Sequence, residues 1–187
     1  RDFTLKHNMR TTNGAIGQGE IHYNAYNYGN NIFITAIDAL RTGDDLGRFR
    51  LQYKVFNKPL VGMHGSFVLI PAKIEEQITW DSGAKSCLTE DAYFALLAAE
   101  QKTKFDWVKG FIREQSPFTV GDIIRQRARW YTGLVHVATD SKLHLSNRFI
   151  LMLYMLVWTF AWFGGPLLLF DSIVVKFVLN FRCFPLD

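Results

Sequence analysis

A mixed α/β domain leading into a membrane segment is the fold class this sequence predicts, on three observations. Helical patterns alternate with short β-prone runs up to about residue 140. Phe149 to Phe170 then carries no charged residue. At about 1.5 Å rise per residue such a run can cross a hydrocarbon core of about 30 Å. Finally, Lys142, His144 and Arg148 flank that run on its N-terminal side, which by the positive-inside rule places residues 1–148 in the cytosol. The expected organisation is a cytosolic domain over 1–140 and a membrane region over 141–187.

Taken in order, Asn30 to Arg50 begins as a helix with Phe33, Ile34, Ala36, Ile37 and Leu40 on one side. Gly43-Asp44-Asp45 is expected to break or bend it, with the acidic pair read as a turn rather than a metal site. Gly65 to Ile70 is a β-prone run closed by Pro71. Thr89 starts an Ala- and Leu-rich helix through roughly Lys102, and Phe105 to Arg113 leans towards strand. Thr119 and Asp122 form a capping-box pattern with Asp in place of the usual Glu or Gln, opening a helix from Val120 to about Val137. In the membrane region Gly164-Gly165-Pro166 interrupts the apolar run, giving either one kinked span or a shorter helix with a re-entrant end. Ser172 to Phe181 is a partial second apolar segment.

The net charge of +4 is too small to argue for nucleic acid. The two cysteines, Cys87 and Cys183, form no CxxC and no Cys/His cluster, so neither a zinc site nor a disulfide framework is expected. The chain opens on Arg1-Asp2-Phe3 and closes on Phe184-Pro185-Leu186-Asp187. It reads as an internal piece of a longer protein.

Three groups of residues carry candidate chemistry. Glu90 and Asp91 lie in the first turn of a helix, where the dipole and free backbone N–H groups favour a carboxylate. An ionised Asp91 suits a general base; the plainer reading is that both acids stabilise the helix terminus. Gln126, Arg129 and Trp130 are spaced for one helical face, with Gly133 leaving room for a ligand. An indole offers a platform for a sugar ring, Gln bonds hydroxyls, and Arg grips a diphosphate. The same helix also reads as interfacial, with Arg125, Arg127 and Arg129 on phospholipid headgroups and Trp130 as an anchor. Gly62-Met63-His64-Gly65-Ser66 reads first as an ordinary turn with an exposed His. It is also a place where backbone can approach a substrate, with His64 or Ser66 as polar contacts.

Thr89-Glu90-Asp91 followed by Gln126-Arg127-Ala128-Arg129-Trp130, ahead of an apolar segment, resembles the late motifs T/A-E-D and Q-x-x-R-W of the inverting family 2 glycosyltransferases. Ser116-Pro117-Phe118-Thr119 leads the second. More narrowly the chain is similar to Egghead-type β-1,4-mannosyltransferases through Gly17-Gln18-Gly19 with Ile21 and Tyr23, Asp45 to Gln52, and Lys58-Pro59-Leu60 ahead of Gly65-Ser66-Phe67. The resemblance covers roughly residues 15–140 and is looser beyond.

The resemblance implies the C-terminal part of a GT-A-like, Rossmann-like domain followed by transmembrane helix or helices. It implies Asp91 as catalytic base, with Glu90, Gln126, Arg129, Trp130, Gly65 and Ser66 binding substrate. The reaction it implies is transfer of mannose from GDP-mannose to a lipid-linked acceptor, glucosylceramide, at the cytosolic face of ER or Golgi membranes. A divalent cation, Mg or Mn, is expected for the longer enzyme, with its ligands outside this chain; the residues present are not expected to be active by themselves. A processive polysaccharide synthase of the same family and a non-catalytic membrane-surface module are the alternatives.

Overall fold

The computed structural model describes residues 14–24, 32–78, 80 and 88–160. A three-stranded sheet organises them, in the order β2-β1-β3, where β1 is Ile16–Asn24, β2 is Val68–Leu69 and β3 is Phe105–Gln115. The central strand β1 pairs antiparallel with β2 and parallel with β3. A parallel pair needs a long crossover, and here the crossover holds most of the domain. The β1/β3 register shifts between Gln18 and Glu20, which pair with Trp107 and Phe111, and Gly110 in the intervening bulge has φ 109°.

The crossover contains α1 (Ile32–Asp44), a π-helical turn (Asp45–Phe49), α2 (Arg50–Val55), β2, α3 (Ala72–Ile78) and α4 (Glu90–Glu100); α5 (Val120–Thr139) follows β3. The expected helix over residues 30–50 is present, but two expectations about it are corrected. Its apolar side is not its buried side: Phe33 and Leu40 are 70% and 74% exposed, whereas Ile34 and Asp38 are buried. Packing of α1 against β1 and α5 selects the Ile34–Asp38–Arg41 stripe instead. Nor does Gly43-Asp44-Asp45 end the helix. The Arg50 N–H bonds the Asp45 carbonyl five residues back, so the chain runs through a π turn into α2. The inward stripe continues across it through Asp45, Phe49, Gln52 and Tyr53, all buried.

The core forms where α2 and α4 cover the sheet. Ile16, Phe49, Tyr53, Met63, Phe94 and Phe105 are buried together, with the Tyr53 and Phe105 rings stacked at 5.7 Å. The β-prone run from Gly65 yields only the two-residue β2, because Phe67 adopts a left-handed φ of 50° that an extended strand cannot contain. The long loop before it is held by side chains. Gln52 donates from Nε2 to the Gly62 carbonyl and accepts from the Leu60 N–H, both at 2.9 Å, and Tyr53 Oη also donates to Gly62 at 3.0 Å. Gln52→Ala should therefore cost about 2–4 kcal/mol, since it leaves the part-buried Leu60 N–H unpaired and opens a cavity where the Gln52 side chain was buried. Chemical denaturation of the variant beside wild type reads the loss.

The helix ends follow their local signals. Thr89 is the N-cap of α4, and Thr119 and Asp122 make the reciprocal capping box of α5. Beyond α5, residues 145–160 are helical (α6). The Glu100 carboxylate at the end of α4 accepts from the His144 N–H and from Asn147 Nδ2. Two compact units divide within α6, one over 1–151 and one over 152–187. In the second unit Tyr154 and Trp158 stack at 6.4 Å. Among the described residues no helix is long and apolar enough to cross a membrane. Residues 161–170 of the expected span, Gly164-Gly165-Pro166 and the second apolar segment lie outside the described residues, as do both cysteines.

Candidate active site

The N-terminus of α4 and the 62–66 loop meet at the carboxyl group of Asp91, and α5 packs against the preceding Thr89. Asp91 Oδ1 accepts from the N–H of Ala92 at 2.7 Å, and Gly65 lies against the carboxylate. The loop can approach this closely because of its glycines. A Cβ on Gly62 would lie 2.8 Å from Ala92 Cβ, and its φ of 109° disfavours any side chain; a Cβ on Gly65 would sit 3.3 Å from Asp91 Oδ2. Gln18, wholly buried on the central strand, fixes the loop from the other side. It donates to the Ser66 carbonyl and accepts from the His64 N–H, each at 2.9 Å.

Burial raises the Asp91 pKa above the usual carboxylate value. The Ala92 N–H opposes that rise, Glu90 adds to it, and His64 and the Gly65 N–H oppose it. The result is a half-buried carboxylate of raised basicity beside the exposed Gly65, suited to accepting a proton. Glu90 itself is exposed at the start of the helix.

Next to the loop stands an Asp–His pair. Asp45 Oδ1 lies 2.6 Å from His64 Nε2, and the imidazole packs on Phe49 with centroids 4.2 Å apart. Asp45 is 2% exposed, and its Oδ2 has no hydrogen-bond partner among the described residues. This corrects the reading of Asp44-Asp45 as a turn and of His64 as an exposed loop residue. The π turn carries Asp45 inward to meet His64, which is half-buried.

On α5 the motif residues separate. Gln126 and Trp130 lie half-buried on the inward stripe that continues through Gly133 and Val137, while Arg129 is exposed. Gln126 Oε1 is buried without a partner among the described residues. Trp130 is flanked by two guanidinium groups, Arg127 at 4.6 Å and Arg41 at 5.2 Å from the ring. Arg41 also covers the Tyr23 ring at 3.6 Å and lies 3.4 Å from Asp38. Burial pushes the Tyr23 hydroxyl above its ordinary range, so it stays a neutral donor. Gly133 does not leave room for a ligand as expected. Thr89 fills that space, and a Cβ on Gly133 would lie 2.7 Å from Thr89 Cγ2 and 3.0 Å from its backbone N. The contact joins the two sequence motifs, placing α5 against the residue that caps the helix of Asp91.

Sequence reasoning passed over Gln18, Arg41 and the Asp45–His64 pairing. A signal existed for Arg41, which follows Asp38 by three residues on the stripe of Ile34. Among the described residues no three His, Cys, Asp or Glu side chains converge as a metal site would need.

The family model for glycosyl transferase family group 2 matches residues 4–186. The chain belongs to that family. It is 33% identical over 172 residues to the β-1,4-mannosyltransferase bre-3 of Caenorhabditis elegans, covering 92% of this chain and 37% of the relative. The bre-3 protein of Caenorhabditis briggsae matches to the same extent. The β-1,4-mannosyltransferase egh of Drosophila melanogaster is 34% identical over 143 residues, covering 76% of this chain and 31% of the relative. The chain thus spans about a third of the length of these curated relatives.

Proposed function

We propose that this glycosyltransferase chain provides the acceptor side of an inverting hexosyl transfer, with Asp91 as general base. The observation that carries the reading is the seating of Asp91 between the first turn of α4 and the 62–66 loop, with the exposed Gly65 against its Oδ2. In a single displacement the acceptor hydroxyl oxygen attacks the anomeric carbon and its proton passes to Asp91. The bond from that carbon to the diphosphate oxygen breaks, and the nucleoside diphosphate leaves with the electron pair. Trp130 would support the sugar face and Gln126 Oε1 would accept from a hydroxyl; Glu90, Gly65, Ser66 and Arg129 complete the proposed substrate contacts. No step passes through a metal, and any divalent cation would draw its ligands from outside the described residues.

The names of the relatives support mannose as the sugar. Our reading is that GDP-mannose is the donor and glucosylceramide the acceptor, at the cytosolic face of ER or Golgi membranes. Membranes containing the full-length protein, given labelled GDP-mannose and glucosylceramide, should form mannosyl-glucosylceramide carrying a single added hexose. A polymer ladder would point to a processive synthase instead, and product only from another nucleotide sugar would overturn the mannose assignment.

The outer face of α5 supports a place against a lipid surface. Val120, Ile124, Tyr131 and Val135 are exposed apolar side chains among exposed Arg125 and Arg129. Replacing Arg125 and Arg129 by Gln should weaken sedimentation with anionic vesicles by about tenfold at low salt, and less at high salt. Unchanged sedimentation would count against this placement.

A further inference from the structure

We propose that Arg41 is a positioning residue for Trp130, its guanidinium holding the indole against the sheet by lying over both the Trp130 ring and the Tyr23 ring. The proposal rests on the reading of Trp130 as the platform for a sugar face and names what keeps that platform in place. Arg41 Cζ lies 3.6 Å from the centre of the Tyr23 ring and 5.2 Å from that of Trp130, both within reach of a cation–π contact. Its Nη1 meets Asp38 Oδ1 at 3.4 Å, three residues back on α1. The Arg41 and Asp38 side chains are only 13% and 5% exposed. The guanidinium is thus largely withdrawn from water, where contacts with aromatic faces are strongest.

Three elements meet at this one group. Tyr23 belongs to the central strand β1, where it pairs with Glu114 of β3, so its ring is carried by the sheet. Asp38 and Arg41 belong to α1, and Trp130 to α5. Arg127 also lies over the indole, at 4.6 Å, but it stands three residues away on the same helix and moves with it. Of the two cations, Arg41 is the one that ties the ring to the rest of the domain. Gly133 seats the backbone of α5 against Thr89, and Arg41 seats the side chain one turn earlier. Arginine suits the task because its guanidinium is planar: its faces lie on rings while its N–H edge meets a carboxyl group. Lysine brings the same charge on a compact head with no plane to stack.

The test is a double-mutant cycle on the full-length protein in membranes, read as the KM for glucosylceramide with GDP-mannose saturating. Arg41→Lys keeps a positive charge and a donor for Asp38 and loses the plane. It should raise the acceptor KM about tenfold and leave kcat unchanged, the pattern of lost binding rather than lost chemistry. In a Trp130→Leu background the same change should add no further rise, because its effect passes through the indole. Rises that multiply, or a fall in kcat with the acceptor KM unmoved, would overturn the proposal. A second measurement needs no activity. Fluorine NMR of the solubilised full-length protein, labelled with fluorotryptophan, reads the Trp130 line, assigned by its loss in Trp130→Leu. The line should be single in wild type and broadened or split in Arg41→Lys; an unchanged line overturns the proposal. Tyr23→Leu removes the ring on which Arg41 rests and should act as Arg41→Lys does, which serves should the latter fail to fold. An acceptor KM unmoved by Trp130→Leu would sink the platform reading separately, while the fluorine line would still decide whether Arg41 holds the ring.

Discussion

Asp91→Asn should melt above wild type at neutral pH while transferring sugar about 10²–10⁴-fold more slowly, the usual contribution of a general base. The two effects share one cause. Burial raises the Asp91 pKa in the folded protein above its unfolded value. The native state therefore binds that proton more tightly than the unfolded chain does. Asp91 does not oppose folding below the unfolded pKa. Its penalty grows as pH rises from there to the raised native value and stays constant above it. Asn carries no charge at any pH, so the melting difference should be full at pH 7 and close on acidification. It also keeps an oxygen for the Ala92 N–H, so that bond at the helix start survives. An Asp91 that merely capped the helix would give the opposite sign, with Asn lowering the melting temperature at neutral pH and leaving transfer intact.

Gly133→Ala should destabilise the protein although helix propensity predicts the reverse. Gly to Ala in a helix interior ordinarily gains about 1 kcal/mol. Here the new Cβ would stand 2.7 Å from Thr89 Cγ2 and 3.0 Å from the Thr89 backbone N. A threonine rotamer can relieve the first contact, but the second requires α5 and the N-terminus of α4 to separate. Overpacking of this kind costs about 1–3 kcal/mol and outweighs the propensity gain. Because the contact ties Asp91 to the helix of Trp130, transfer should fall as well, by about 10²-fold for a displacement near 1 Å. Thermal unfolding and rate measured together check this. A more stable, fully active Ala variant would show that the two motifs are not held by this contact.

How much of this was legible in the sequence depended on distance along the chain. The starts of α4 and α5 were readable because caps are local: Thr89 precedes its helix and Thr119 finds Asp122 three residues on. The pairing of the two motifs was readable only as a resemblance, and its physical basis, Gly133 against Thr89, joins residues too far apart for any periodicity to mark. The central strand β1 hid itself. It is covered on both faces, and Gly17, Gln18 and Gly19 interrupt the alternation that marks a half-buried strand. Asp45 looked like a turn residue because it follows Gly43 and Asp44. Only the packing of α1 through α2 against the sheet turns it inward as the partner of His64. Tertiary contacts likewise chose Ile34, Asp38 and Arg41 over the more apolar Phe33 and Leu40 as the buried side of α1.

The most direct test of the central claim is transfer of labelled mannose from GDP-mannose to glucosylceramide by membranes carrying equal amounts of full-length wild type or Asp91→Asn. Product from wild type and a loss of at least about 10²-fold in the variant is the result the account predicts. Equal product from both would contradict it and leave Asp91 a helix-terminal carboxylate.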